Sequence, residues 1–197
     1  MNYKYYAKSN PIETIKEHTD KLLENLEILK RTYGAKIGQV INMTEERFWQ
    51  LMEIICKYHD VGKVYSGFQN AIRKNIGESL LQTKFYNEEI KHEQISPMFV
   101  PYKEYELTKT ERKLVYQTIY YHHERTNIIH IDGKLLDEII KEDIEPNIHQ
   151  IESELQIKVS ELKTTYLGIV EGKARITEFD GIYKDYCIMK GLLHRLD

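Results

Sequence analysis

Cysteine is scarce in this chain: Cys56 and Cys187 are its two examples in 197 residues, far apart and with no CxxC partner. Such spacing argues against a disulfide framework, a zinc finger and thioredoxin-type chemistry, and both thiols read as reduced core residues. Long apolar runs are missing as well. No stretch approaches the roughly 18 residues that a membrane span needs. The N-terminal Met1-Asn2-Tyr3-Lys4 lacks the apolar run of a signal peptide, so the sequence reads as cytoplasmic with no membrane partner. Nor is there a basic excess, since 28 Lys and Arg face 31 Asp and Glu for a net charge of −3. That balance argues against a general nucleic-acid coat and leaves room for a local basic groove. A P-loop, a Gly-rich dinucleotide fingerprint and a nucleophile elbow are all absent. Ser66-Gly67 and Ser96 have no matching base in view. Strand signals are few, and the expected fold class is all-α.

The composition that remains is that of a globular domain, with 41% hydrophobic and 30% charged residues. Residues 1–197 are expected to form one domain with a real core. Fifteen tyrosines are read as amphipathic residues at the rim of that core rather than as a base-stacking platform.

Helical periodicity runs almost throughout. Pro11 after Ser9-Asn10 marks a start and Gly34 a stop. Between them Ile15, Leu22, Leu26, Leu29 and Tyr33 form an apolar stripe that also carries His18. A second helix starts near Thr44, with Glu45 and Glu46 at its positive end. It turns Phe48, Leu51, Met52 and Ile55 inward. His59 follows four residues later, and Gly62 breaks the helix. A short helix is expected over Phe68–Lys74 and another around His92, bounded by Pro97 and Pro101. A further helix runs from Thr110 to His123, with Val115, Ile119 and His122 on one face. A weak β bridge is read at Ile128–Ile131. Helices resume after Asp132 and after Pro146, Gly168 and Gly172 mark a loop, and a last helix starts near Glu178. On it Ile182, Tyr186, Met189, Leu193 and Asp197 share a face.

A single inward histidine is more often a hydrogen-bonded core residue than a ligand. Here His18, His59, Asp60, His92, His122, His123 and Asp197 all lie on or beside inward faces. Burying so many ionisable groups is costly unless something compensates. One or two divalent cations would do so, and imidazole with carboxylate suits Mn2+, Fe2+, Co2+, Ni2+ or Zn2+, with Mg2+ in a more open arrangement. Asp60 is the natural bridge, because its two oxygens can face two ions. Adjacent His59 and Asp60 serve one centre near a helix end, and Gly62 supplies that end. Two ions about 3.5–4 Å apart suit phosphodiester hydrolysis, with a cation-activated hydroxide as nucleophile. Lys63 would hold the substrate phosphate or protonate the leaving oxygen, which makes Asp60 and Lys63 the expected catalytic pair.

The string His59-Asp60-Val61-Gly62-Lys63 followed by Phe68-Gln69 resembles the signature of the HD nuclease domain of type I CRISPR-associated nuclease-helicases. The likeness extends to Glu17-His18, to His92-Glu93 with Ser96, to His122-His123, and to the closing Leu192-Leu193-His194-Arg195-Leu196-Asp197. It implies helices around a metal pair and cleavage of single-stranded DNA in antiviral defence. It also implies that His18, His59, Asp60 and Asp197 hold one metal and that Asp60, His92, His122 and His123 hold the other, with Lys63 on the phosphate. The implied partners are a helicase domain or subunit and an RNA-guided surveillance complex. No helicase motif is present, so the chain reads as a stand-alone subunit or, preferably, as a piece of a longer nuclease-helicase. Asp197 at the chain end is expected to fray, with Asp180 and Asp185 as fallback ligands.

Backbone contacts to DNA are expected from Lys57, Lys63, Arg73, Lys74, Lys91 and Arg125, each near a motif. Two other readings are a phosphohydrolase of cyclic dinucleotides or nucleotides, prompted by His122-His123-Glu124-Arg125 with Asp132-Gly133, and a non-catalytic binding module.

Overall fold

A computed structural model describes residues 4–85, 90–123 and 131–197. The fold is helical, with a two-stranded antiparallel ribbon at the N-terminus: β1 (Tyr6–Ser9) and β2 (Ile12–Thr14). Pro11 therefore sits in the turn of a hairpin rather than at a helix start. The first helix, α1 (Ile15–Gly38), begins at Thr14 instead. There the Thr14 hydroxyl accepts from the Glu17 N–H while the Glu17 carboxylate accepts from the Thr14 N–H, satisfying orphan donors at both positions. Nor does Gly34 stop the helix; it packs against the Glu45 and Trp49 side chains. The outer part of the apolar stripe outruns the core, and Tyr33 is 49% exposed.

The second helix, α2 (Glu45–Tyr58), starts at Thr44 as its sequence indicates, with the Thr44 hydroxyl accepting from the Arg47 N–H. Phe48, Leu51, Met52 and Ile55 are fully buried. Each such side chain contributes about 1.5–3 kcal/mol through removal from water. The helix gives way after His59 to a 3₁₀ turn at Val61–Val64, and α3 (Ser66–Ile76) follows. Next come α4 (His92–Ile95), a 3₁₀ turn at Ser96–Phe99, and α5 (Lys109–Tyr120). Three smaller helices complete the outer shell: α6 (Gly133–Ile139), α7 (Ile148–Leu155) and α8 (Leu167–Val170). The expected loop at Gly168 is thus a single helical turn. The last helix, α9 (Tyr183–Leu196), starts a turn later than Glu178.

The core lies where α2 packs against α1 on one side and α5 on the other, with α9 closing over α5. Tyrosines stitch loops to this frame. The Tyr58, Tyr65 and Tyr121 hydroxyls donate to the carbonyls of Lys158, Phe85 and Val170 at 2.8, 3.0 and 2.6 Å. Buried phenols need such partners, and these three tyrosines serve packing. Cys56 is buried, as expected, but Cys187 is exposed on α9. The bridge read at Ile128–Ile131 lies, but for Ile131, outside the described residues. No helix among the described residues is long and apolar enough to cross a membrane.

Candidate metal centre

Asp60 sits at the junction between α2 and the 3₁₀ turn, fully buried, with φ −104° and ψ 0°. That departure from helical geometry lets His59 and Asp60 face the same centre although they are adjacent. Gly62 makes the turn fit. A Cβ there would lie 2.1 Å from the His92 carbonyl oxygen and 2.8 Å from Ser96 Oγ. Ser96 ties the two segments, as its hydroxyl donates to the His92 carbonyl and accepts from the Gly62 N–H, both at 2.9 Å.

Around Asp60 the structure places two groups of ligand-type atoms. Asp60, His92, His122 and His123 bring one donor atom each within 4.8 Å of one another, and so do His18, His59, Asp60 and Asp197. Asp60 Oδ1 lies 3.0 Å from His92 Nε2 and 4.0 Å from His122 Nε2. Its Oδ2 lies 3.5 Å from His18 Nε2 and 3.6 Å from His59 Nε2. The Asp197 carboxylate stands 3.0 Å from His18 Nε2 and 3.9 Å from His59 Nε2. One carboxylate thus faces both groups, one oxygen to each.

The ring tautomers favour ligation. A carbonyl can only accept, so Nδ1 of His59 donates to Cys56 at 2.9 Å and Nδ1 of His122 donates to Ile119 at 2.6 Å. In the neutral ring that leaves each Nε2 as a lone pair aimed inward. His59 Nε2, His92 Nε2, His122 Nε2 and Asp60 Oδ1 are all buried without a hydrogen-bond partner. Orphaned buried acceptors are rare and costly. Gathered about Asp60 in two groups, these atoms are what cations would satisfy, and the separations of about 3–4 Å suit metal–ligand bonds near 2.1 Å. The residues present therefore fit a divalent ion at either group.

Electrostatics agree with this. Burial would raise the Asp60 carboxyl, but the positive charges of His59 and Lys63 and the adjoining His92 hold it well below the usual carboxylate range. Asp197 is likewise held low against the effect of burial, chiefly by His18 and His59. Burial depresses His122, helped by the charges of His59 and His123, and it depresses His123 too, helped by His92. The field of Asp60 and Asp197 overcomes burial at His59 and raises it. A site that draws a proton onto a buried ring will draw a cation in its place.

Several expected residues take other places. Lys63 turns onto Asp60, its ammonium 2.6 Å from Oδ2, and is almost wholly buried. Asp197 stands in the His18 group, its N–H donating to the Leu193 carbonyl. Asp180 caps Thr177 and pairs with Lys113. Asp185 accepts from the Asn42 N–H. Neither aspartate belongs to the two groups. Arg73 points inward, paired with Glu78 at 2.7 Å and stacked on Tyr6, which takes it away from solvent. Lys57 lies half-buried beside Glu53 and Tyr105, whereas Lys74 and Lys91 are exposed. Arg125 lies outside the described residues, as does Glu124.

Glu13 escaped the sequence, and Gln69, named within the motif, has a role that the sequence did not show. Glu13, on β2, lies 3.4 Å from His18 Nδ1 and Lys8, on β1, lies 3.3 Å from it, so residues of the ribbon and not the Glu17 neighbour stand behind the imidazole. No spacing rule reveals Glu13, because the chain changes from strand to helix between it and His18. Gln69, fully buried, donates to the carbonyls of Tyr6 and Lys63 and accepts from the Tyr6 N–H. It binds the N-terminal ribbon to the His-Asp turn. Phe68 lies 5.6 Å from the His92 ring and forms a wall beside Lys63.

A helical shell that brings a His-Asp turn against inward histidines from three other segments has the HD-domain fold. The same fold is seen in the CRISPR-associated Cas3 HD domain protein from Methanocaldococcus jannaschii, with a TM-score of 0.54, 16% sequence identity and 98% of each chain covered. No family model matches the chain. No curated protein matches it in sequence.

Proposed function

We propose that this protein is a metal-dependent phosphodiesterase that cuts single-stranded DNA. The observation that carries the reading is Asp60, one carboxylate shared by two converging donor groups, with Nε2 of His59 and of His122 buried and without another hydrogen-bond partner. Bound cations supply Lewis acidity, which lets water act as a nucleophile near neutral pH and offsets charge on the phosphoryl oxygens. The chain's own residues do the rest. Asp60 stays ionised and is aimed by Lys63, which also brings positive charge to the edge of the phosphoryl site. Ser96 and Gly62 lock the His92 segment against the turn, while the Cys56 and Ile119 carbonyls fix the ring tautomers of His59 and His122. His123, exposed beside His122, stands where a substrate would enter.

The motif resemblance and the Cas3-type structural neighbour support a place in CRISPR interference. In that setting a helicase domain or subunit delivers a strand exposed by an RNA-guided surveillance complex. The test is cleavage of single-stranded DNA by metal-loaded protein, beside cyclic dinucleotides and deoxynucleotides. Wild-type protein is expected to cut DNA, while Asp60→Asn loses both metal and activity. That loss should exceed the roughly 10–100-fold that removal of an outer partner of a metal ligand costs. Activity confined to the small nucleotides, or an active Asp60→Asn, would overturn the reading.

A further inference from the structure

Along α9, Tyr183, Cys187, Lys190, His194 and Asp197 recur at intervals of four, three, four and three residues, which places them on one face. At 1.5 Å per residue that stripe is about 21 Å long and ends at the His18–Asp197 group. It borders the buried face formed by Tyr186, Met189 and Leu193. Opposite stands the segment Arg175–Glu178, and between the two lies a groove of about 630 Å³.

Charge in this region is segregated. Of the charged side chains of α9, Lys190 lines the groove with His194 beside it, whereas Lys184 and Arg195 lie off that face. Its carboxylates are withdrawn, Asp185 into the interior and Asp197 into the ligand group. Arg175 adds a cation on the facing wall, and Glu178 is the acidic member of the lining. The chain as a whole is acidic by three charges, whereas the groove lining carries Arg175 and Lys190 against Glu178 and is locally basic. Aromatic surface accompanies it. Phe179 is 89% exposed, more than any other large hydrophobic side chain described, and Tyr183 is exposed in the groove itself. On the facing wall the Arg175 guanidinium stacks 4.9 Å from the ring of Tyr121, the residue before His122 in the sequence.

We infer that the α9 groove is the track along which a single-stranded nucleic acid reaches the metal centre, with Arg175 and Lys190 on its phosphates and Phe179 and Tyr183 against its bases. Cations spaced along a groove follow a phosphate backbone, and exposed aromatic faces accept unpaired bases, which a duplex does not offer. The inference rests on the phosphodiesterase reading and deepens it, because it assigns the surface along which the strand enters and the side chains that hold it. It also replaces the inward Arg73 as the source of backbone contact.

Binding of fluorescein-labelled dT12 in EDTA reads the groove without turnover. Hydrolysis of bis(p-nitrophenyl) phosphate by Mn2+-loaded wild-type protein reads the chemistry separately. The double variant Arg175→Glu/Lys190→Glu is expected to weaken dT12 binding at least tenfold and to reduce its salt slope by about 1.4, or about 0.7 per phosphate contact. Phe179→Ala, at a side chain almost wholly in solvent, is expected to weaken binding about fivefold or more. Lys30→Glu/Lys158→Glu changes the total charge equally at remote surface positions and should leave binding within about twofold. Unchanged dT12 binding in the groove variants, an equal loss in the remote variant, or equal affinity for a 12-base-pair duplex would overturn the track. Absence of diester hydrolysis by wild-type protein with every cation would overturn the phosphodiesterase reading instead.

Discussion

Gly62 shows how much of the centre hangs on one absent methyl group. The turn after Asp60 approaches the His92 backbone so closely that a Cβ would meet a carbonyl oxygen at 2.1 Å. A backbone atom cannot swing aside as a flexible side chain can. Gly62→Ala is therefore expected to push the His92 segment outward, destabilising the fold by about 1–3 kcal/mol. Because His92 carries a donor atom, the same change should weaken Mn2+ binding by about tenfold or more. Thermal melting and metal titration read the two effects, and a variant that keeps wild-type metal affinity would show that the turn relaxes without moving His92. Glu13 and Gln69 also act at this scale. Both are polar, both are buried, and each holds a piece of the N-terminal ribbon against the centre.

The helices are joined at their ends as well as through the core. Thr108 and Glu111 form the capping box of α5, and the Glu111 carboxylate also takes both arms of Arg47 from α2, at 2.6 and 3.2 Å. The Arg47 pairing, only partly opposed by burial, lowers the Glu111 pKa to about 2, and the Thr108 cap adds to the effect. A depressed folded-state value means that the stabilisation is fully present above the unfolded pKa near 4.5 and is lost as pH falls toward about 2. Urea midpoints measured from pH 6 down to pH 3 should thus fall less steeply in Glu111→Gln than in wild type. At neutral pH that variant should be less stable by about 1 kcal/mol, the usual cost of a lost cap. Parallel profiles would show that the pair contributes nothing. Helix starts were legible from the capping residue at Thr44 and Asp132, while the caps at Thr14 and Thr108 went unread. The start of α1 was misread because a Pro after Ser-Asn is also good turn chemistry, and tertiary pairing of two short strands decided between the two.

At the scale of the molecule, seven ligand-type side chains from α1, the His-Asp turn, α4, the end of α5 and the end of α9 converge on one carboxylate. Without a cation they leave buried acceptors unmatched, so the fold itself should be stabilised by metal. A divalent ion present at 100 times its dissociation constant adds about 2.7 kcal/mol, which for a domain of this size raises the melting temperature by about 5–10 °C. Melting of EDTA-treated protein with and without Mn2+ reads this shift. No shift with any of Mn2+, Co2+, Ni2+, Zn2+, Fe2+ or Mg2+ would sink the metal assignment.

The amino-acid sequence alone determined the helical class, through periodicity, and the set of inward histidines and aspartates, through their phase on each helix. His59-Asp60 with Gly62 even marked the irregular turn, because adjacent ligands require one. Which histidines group together was a matter of resemblance alone, since phase gives the face of a helix and says nothing about its distance from another. Tertiary structure decided that Asp60 gives one oxygen to each group, that Lys63 leans on it, and that Glu13 stands behind His18. Arg73 and Cys187 exchanged their expected places for the same reason: burial is settled by what packs against a residue, and local pattern does not contain that neighbour.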